Sequence, residues 1–174
     1  MKICAILSLC QNVTRMYFIM NDNKISKITT GNVGEHYVAA ELEKRNFITI
    51  VVGNNCKDYD IIAINNKTHE DVLVQVKASS NRNRWRVNKN SCNEDKLFYV
   101  LVSLKDYEPK YYILKSKEAV KLKEKHHKEY CEKHGYNVKD KNLREIILDD
   151  NLKKKYENNW QIIVDYCTKE VDNK

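Results

Sequence analysis

Proline and glycine are nearly missing from this chain, which has one proline and four glycines in 174 residues. No linker rich in Gly, Pro or Ser divides it and no segment repeats, so the length reads most simply as one domain able to bury a core. Cys-x-x-Cys spacing is missing too. Cys4, Cys10, Cys56, Cys92, Cys131 and Cys167 are scattered. A chain of this size does not need disulfide staples, and they are expected to be reduced thiols in a cytoplasmic protein. The apolar start, Met1 to Cys10, lacks a small-x-small cleavage site and is far too short to span a membrane as a helix. Residues 1–19 are expected to be an upstream extension of the reading frame or an added strand, with secretion less favoured. Residues 20–174 are expected to form the domain.

What the chain does have is positive charge. A formal charge of +7 and an isoelectric point near 9.0 suit a polyanionic partner, although solubility alone can account for such a balance. The most informative stretch runs from Asp58 to Lys77. Ile61-Ile-Ala-Ile and Val72-Leu-Val-Gln-Val are β-branched runs separated by Asn66-Lys67-Thr68-His69-Glu70, which predicts a hairpin. Side chains alternate along a strand, so Gln75 and Lys77 share one face while Val74 and Val76 share the other. Antiparallel pairing would bring the Asp60 carboxylate, at the start of the preceding strand, close to both.

Upstream, Thr29 or Thr30 is expected to cap a helix running to about Arg45, with Val33, Tyr37, Val38 and Leu42 on its apolar side. Glu35 projects toward that side, where a carboxylate needs a partner; a metal is one, a nearby lysine another. Gly31 and Gly34 are half of all the glycines, which suggests a tight helix entry and close backbone packing around Glu35.

At these residues the chain resembles the PD-(D/E)XK nuclease superfamily, whose pattern is an acid at a strand start and Glu-x-Lys or Gln-x-Lys on the next strand. Here the pattern stands as Asp60 and Gln75-Val76-Lys77, after a helix carrying Glu35 where several branches, archaeal-type Holliday junction resolvases among them, place a further acid. The likeness covers about residues 29 to 115. Tyr59 replaces the proline of the family name, and Gln75 replaces the commoner glutamate with a ligand that holds a divalent ion less strongly. The resemblance implies an α/β fold with a mixed central β-sheet flanked by helices, like that of restriction endonucleases, with the active patch at one edge. It implies a Mg²⁺ site (Mn²⁺ as substitute) formed by Asp60, Gln75, Glu35 and the backbone carbonyl of Val76, with Lys77 orienting water or stabilising the transition state. The implied activity is endonucleolytic cleavage of DNA, with RNA and a homodimer left open and no membrane involved.

Downstream of Lys77, Arg82, Arg84, Arg86 and Lys89 supply four cations with no acid among them. In an extended chain the arginines point one way and Trp85 the other, so the segment reads as a phosphate grip with Trp85 either packed beneath or stacked on a base. Phe47 to Val52, Leu97 to Leu104 and Lys110 to Leu114 read as strands. Ser116 is expected to cap a helix stopped by Gly135, and His127, Cys131 and His134 recur on one side of it at a spacing that could ligate zinc, though a solvated face is the commoner meaning. Leu143 to Leu148 reads as a short strand. Asp149 or Asp150 is expected to cap one last helix that carries Lys153, Lys154 and Lys155 and docks Trp160, Ile162, Ile163 and Val164 onto the core. The rival to a nuclease is a nucleic-acid-binding module of the same fold that does not cut. A third reading is an interaction protein without salt-dependent binding to polynucleotides.

Overall fold

The computed structural model describes residues 26–52, 56–80, 83–87, 95–106, 108–139 and 145–169. The expectations for residues 1–19, the turn at Gly53, and the side chains of Arg82 and Lys89 lie outside the described residues. The elements in chain order are α1 (Lys27–Glu43), β1 (Phe47–Val51), β2 (Ile61–Asn65), β3 (Asp71–Ser79), β4 (Arg84–Arg86), β5 (Leu97–Ser103), β6 (Lys110–Lys115), α2 (Ser116–His134), β7 (Glu145–Ile147), α3 (Asp150–Tyr156) and α4 (Gln161–Lys169). Five strands form one sheet in the order β1-β2-β3-β5-β6, and β4 pairs with β7 in a separate ribbon. All neighbours in the large sheet are antiparallel except β3 and β5. The fold is therefore α/β with a mixed central sheet.

Each face of the sheet buries its own cluster. On one, Val72, Val74 and Val76 of β3 meet Val38 and Leu42 of α1 and Trp160 and Ile163 of the C-terminal segment. On the other, Leu97, Tyr99 and Leu101 of β5 meet Trp85, Ile146, Ala119 and Tyr156. Strand β5 is buried along its whole length, as its unbroken apolar run requires. Removing each such side chain from water stabilises the fold by about 1.5 to 3 kcal/mol before the opposing chain entropy is counted.

Several local expectations are corrected by the structure. The N-cap of α1 is Ser26, whose Oγ accepts from the Thr29 N–H at 3.1 Å, while Thr30 lies within the first turn and donates its hydroxyl to the Ser26 carbonyl. Any of these hydroxyls suits a cap; helical backbone simply begins three residues before Thr30. Tyr37 is exposed, and the buried face of α1 is Thr30, Gly34, Val38, Ala39 and Leu42. Ser116 is the first residue of α2 and Lys115 its cap, without a side-chain bond. Gly135 does end that helix, in a left-handed conformation at φ 66°. The last helix is two helices. Asp149 caps α3 through Leu152 N–H at 2.8 Å, but Glu157 then bridges to Tyr112, Asn158 turns at φ 51°, and its N–H bonds the Tyr111 carbonyl. The edge of β6 thus captures backbone that would otherwise continue the helix.

Of the two helix glycines only Gly34 is required by packing. A Cβ there would lie 2.6 Å from the Cβ of Ala78, whereas one at Gly31 would meet nothing within 4 Å. Gly34→Ala is expected to lower the denaturant midpoint, since overpacking of about 1 to 3 kcal/mol exceeds the roughly 1 kcal/mol gained in helix propensity. Adding Ala78→Gly should restore part of the loss, and a double variant no more stable than Gly34→Ala would show that the two residues do not oppose each other.

Candidate active site at the end of strand β3

Strand β2 begins at Ile61, which faces Val74 across the sheet. Asp60 lies just before it and donates its own N–H to the Val74 carbonyl at 2.9 Å. Two residues of the incoming chain thus share one residue of β3, the geometry of a β-bulge, a device that re-aims side chains at strand ends. The Asp60 carboxylate then occupies the place where a longer β2 would have paired. Its Oδ2 accepts from the Val76 N–H at 2.7 Å and from the Gln75 amide, and the Lys77 Nζ lies 3.9 Å from the same oxygen. Because alternate peptide groups of β3 face β2, the Val76 carbonyl is directed to this side along with its N–H.

Strand alternation places Gln75 and Lys77 on one face of β3, and both turn toward Asp60 as the sequence predicts. Glu35 approaches from α1 on the opposite face, where Gly34 lets the helix sit against Val76 and Ala78. Burial, and next the charge of Asp60, raise the Glu35 carboxyl above its ordinary value, while Lys77 opposes the shift. Burial likewise lowers the Lys77 ammonium, against the pull of Asp60 and Glu35. Two carboxylates and one desolvated ammonium therefore share a half-enclosed corner at the end of the central strand.

That position corrects the expectation of an edge. β3 is the middle strand of the sheet, Gln75 is buried, and the Asp60 and Lys77 side chains are only 16 and 25% exposed. The feature that sequence reasoning missed is the Val76 N–H, which anchors Asp60. Every residue has such a group, and no side-chain pattern singles this one out.

The ribbon follows at once in the chain. Arg84 and Arg86 are exposed and Trp85 is buried at 1% exposure, its indole N–H donating to the Val102 carbonyl at 3.0 Å and its ring edge-on to Tyr112. Trp85 is thus packed beneath the arginines, and base stacking is overturned by its burial. Arg84 lies 3.8 Å from Glu145 of β7, a partner that no local pattern singles out.

The zinc-like spacing on α2 does not converge. His127 is 3.9 Å from Cys131 Sγ through Nδ1, but its Nε2 engages the Val138 carbonyl, and His134 bonds the Tyr130 carbonyl and stacks against Tyr136. Among the described residues, no group of three or more His, Cys, Asp or Glu side chains could hold a metal ion. Lys153 and Lys155 are paired with Asp150 and Glu118. Cys56, Cys131 and Cys167 are free thiols. No helix among the described residues is long and apolar enough to cross a membrane.

No family model and no curated protein matches the sequence. Among solved structures, the bacterial homing endonuclease I-Ssp6803I shares the fold, with a TM-score of 0.54 and 12% identity over 86% of this chain and the whole of that one. The identity is so low that the likeness resides in the path of the backbone.

The raised Glu35 carboxyl has a consequence for stability. A folded-state value above the unfolded one favours folding below the unfolded value and loses that contribution as pH rises through the folded one. Glu35→Gln is accordingly expected to stabilise the protein at neutral pH in a chelated buffer, with the gain shrinking toward pH 4. Thermal melts across that range check it, and a gain that is constant with pH would remove charge as its origin.

Proposed function

We propose that this protein is a divalent-metal-dependent endonuclease of the PD-(D/E)XK type, hydrolysing phosphodiester bonds in DNA in the cytoplasm. The observation that carries the reading is the meeting of Asp60, Gln75 and Lys77 toward one end of β3, with Glu35 brought up from α1 and coupled by charge to Asp60 and Lys77, on a fold shared with a homing endonuclease. The donor set fits a hard cation. Asp60 and Glu35 offer charged oxygens, the Val76 carbonyl a neutral one, and a half-turn of the Gln75 amide replaces its NH₂ with its oxygen. The like charges of Asp60 and Glu35, unfavourable to each other here, are what such an ion would offset. Mg²⁺ or Mn²⁺ held there would supply positive charge and Lewis acidity.

The chain's own groups do the remainder. The Val76 N–H fixes the Asp60 carboxylate, so the principal oxygen donor does not have to be ordered when substrate arrives. Lys77, desolvated yet held beside Asp60, places a hydrogen-bond donor where an attacking water or the charge growing on a phosphate oxygen would lie. Arg84 and Arg86 on the exposed side of β4 grip the phosphates of the nucleic acid away from the cut, with Arg82 and Lys89 extending the same basic segment. A second reading, a binding module that does not cut, draws on one observation: Gln75 turns its amide NH₂, not its oxygen, toward Asp60.

Cleavage of plasmid, branched and single-stranded DNA, with and without Mg²⁺ or Mn²⁺, decides between the two. Asp60→Asn and Lys77→Ala should each lower the rate about a hundredfold or more, as removal of a ligand or a transition-state donor does. Mg²⁺ should also raise the melting temperature of the wild type and not of Asp60→Asn, a readout independent of turnover. Wild-type cutting rates in either variant would dismiss the site, and undiminished binding without metal-dependent turnover would establish the second reading.

The ribbon is tested by affinity. Arg84→Ala with Arg86→Ala, on the Lys77→Ala protein to prevent cutting, should flatten the slope of log affinity against log salt by about two units, similarly for unrelated sequences. Fluorescence anisotropy measures it, and an unchanged slope places the nucleic acid elsewhere.

A further inference from the structure

Strand β1 ends the large sheet, and among the described residues nothing pairs with its outer side. Edge strands are ordinarily protected by charge, proline or a bulge. β1 has none of these: it reads Phe47-Ile48-Thr49-Ile50-Val51, regularly paired with β2. Ile48 and Ile50 are 53 and 50% exposed, and they stand opposite the half-buried Ile64 and Ile62 of β2. Four isoleucines thus share the sheet face away from α1, at the end that the second core cluster does not cover.

The backbone determines which groups point outward. Val52 N–H bonds the Asp60 carbonyl and Asn66 N–H bonds the Asn46 carbonyl, so the even-numbered residues of β1 turn their peptide groups toward β2. By alternation, Phe47, Thr49 and Val51 turn theirs to the open edge. The strand is also nearly the same read in either direction about Thr49. We propose that β1 is a homodimerisation edge, pairing antiparallel with β1 of a second copy about a two-fold axis at Thr49, so that the sheet runs on from one protomer to its partner.

In that register Thr49 faces its own mate as a hydrogen-bonded pair and Phe47 faces Val51, so every outward N–H and C=O of the strand finds a partner. Ile48 faces Ile50 across the axis, joining the isoleucine strips of the two copies. A shift by one residue would set outward peptide groups against groups already committed to β2, and of the registers that keep the parity only the axis at Thr49 pairs all three outward residues within the strand. A second copy is the occupant favoured because the strand is uncharged and complementary to itself. Glu43, whose carboxylate accepts from the Thr49 hydroxyl at 2.6 Å, comes near the axis from both protomers. Screening of that like-charged pair makes the association stronger with salt, the reverse of what a charge-driven contact shows.

Sedimentation velocity of the full-length chain over a concentration series, at two salt concentrations, reads the proposal without reference to any catalytic activity. The expected result is a concentration-dependent dimer that tightens with salt. Ile48→Lys, which sets a lysine against Ile50 of the partner subunit, and Thr49→Pro, which removes an N–H pointing to solvent in the monomer, should each give monomer at concentrations where the wild type is dimeric. Far-UV circular dichroism and melting temperature establish that each variant folds, and either folded variant suffices. A wild type that stays monomeric, or folded variants that still dimerise, overturns the assignment; the first outcome leaves the edge to another occupant such as the chain's own residues 1–25.

Discussion

The bond from the Val76 N–H to the Asp60 carboxylate is the constraint on which the candidate site depends. Strand β2 starts one residue later, so β3 would be left with a buried donor facing no strand. An unpaired donor costs on the order of 1 to 3 kcal/mol, and a carboxylate accepting it is both satisfied and held in place. A structural need of the sheet and the chemical need of the proposed site are therefore met by one oxygen. Gln75 and Lys77 follow automatically, because alternation along β3 sends both to the side where that oxygen sits.

Asymmetry between the two sheet faces explains how the rest is arranged. On the α1 side, packing is tight enough that Gly34 and Ala78 all but touch, and this closeness lets the next helix residue, Glu35, interact with Asp60 and Lys77. On the other side, α2, α3 and the β4–β7 ribbon gather over β5 and β6. The layers are thus displaced from each other across the sheet. The basic ribbon is drawn to one side of the site, and the isoleucines of β1 and β2 stay open on the other.

Much of this was legible in the residues. The hairpin of β2 and β3 and the alternation of Gln75 with Val76 follow from period-two patterning, and the outward arginines around Trp85 follow from the same rule. What was not legible depended on backbone competition. Thr29 and Thr30 are as good caps as Ser26 by chemistry, and only the start of helical backbone decides among them. The split of the last helix at Asn158 came from the free edge of β6, a tertiary partner invisible to local propensity. Strand order likewise is not encoded in any one segment. The patch was expected at one edge of the sheet, yet its strand is the central one.

The indole of Trp85 bonds the carbonyl of Val102, and Val102 stands in register with Ala78, one residue beyond Lys77. The ribbon is therefore moored to the same few ångströms of sheet that carry the site. A displacement of Arg84 or Arg86 would be passed through the buried ring of Trp85 into β5 and, across the register, into β3. Ribbon and corner share one mechanical ground, so a load applied along β4 would reach both as a single body.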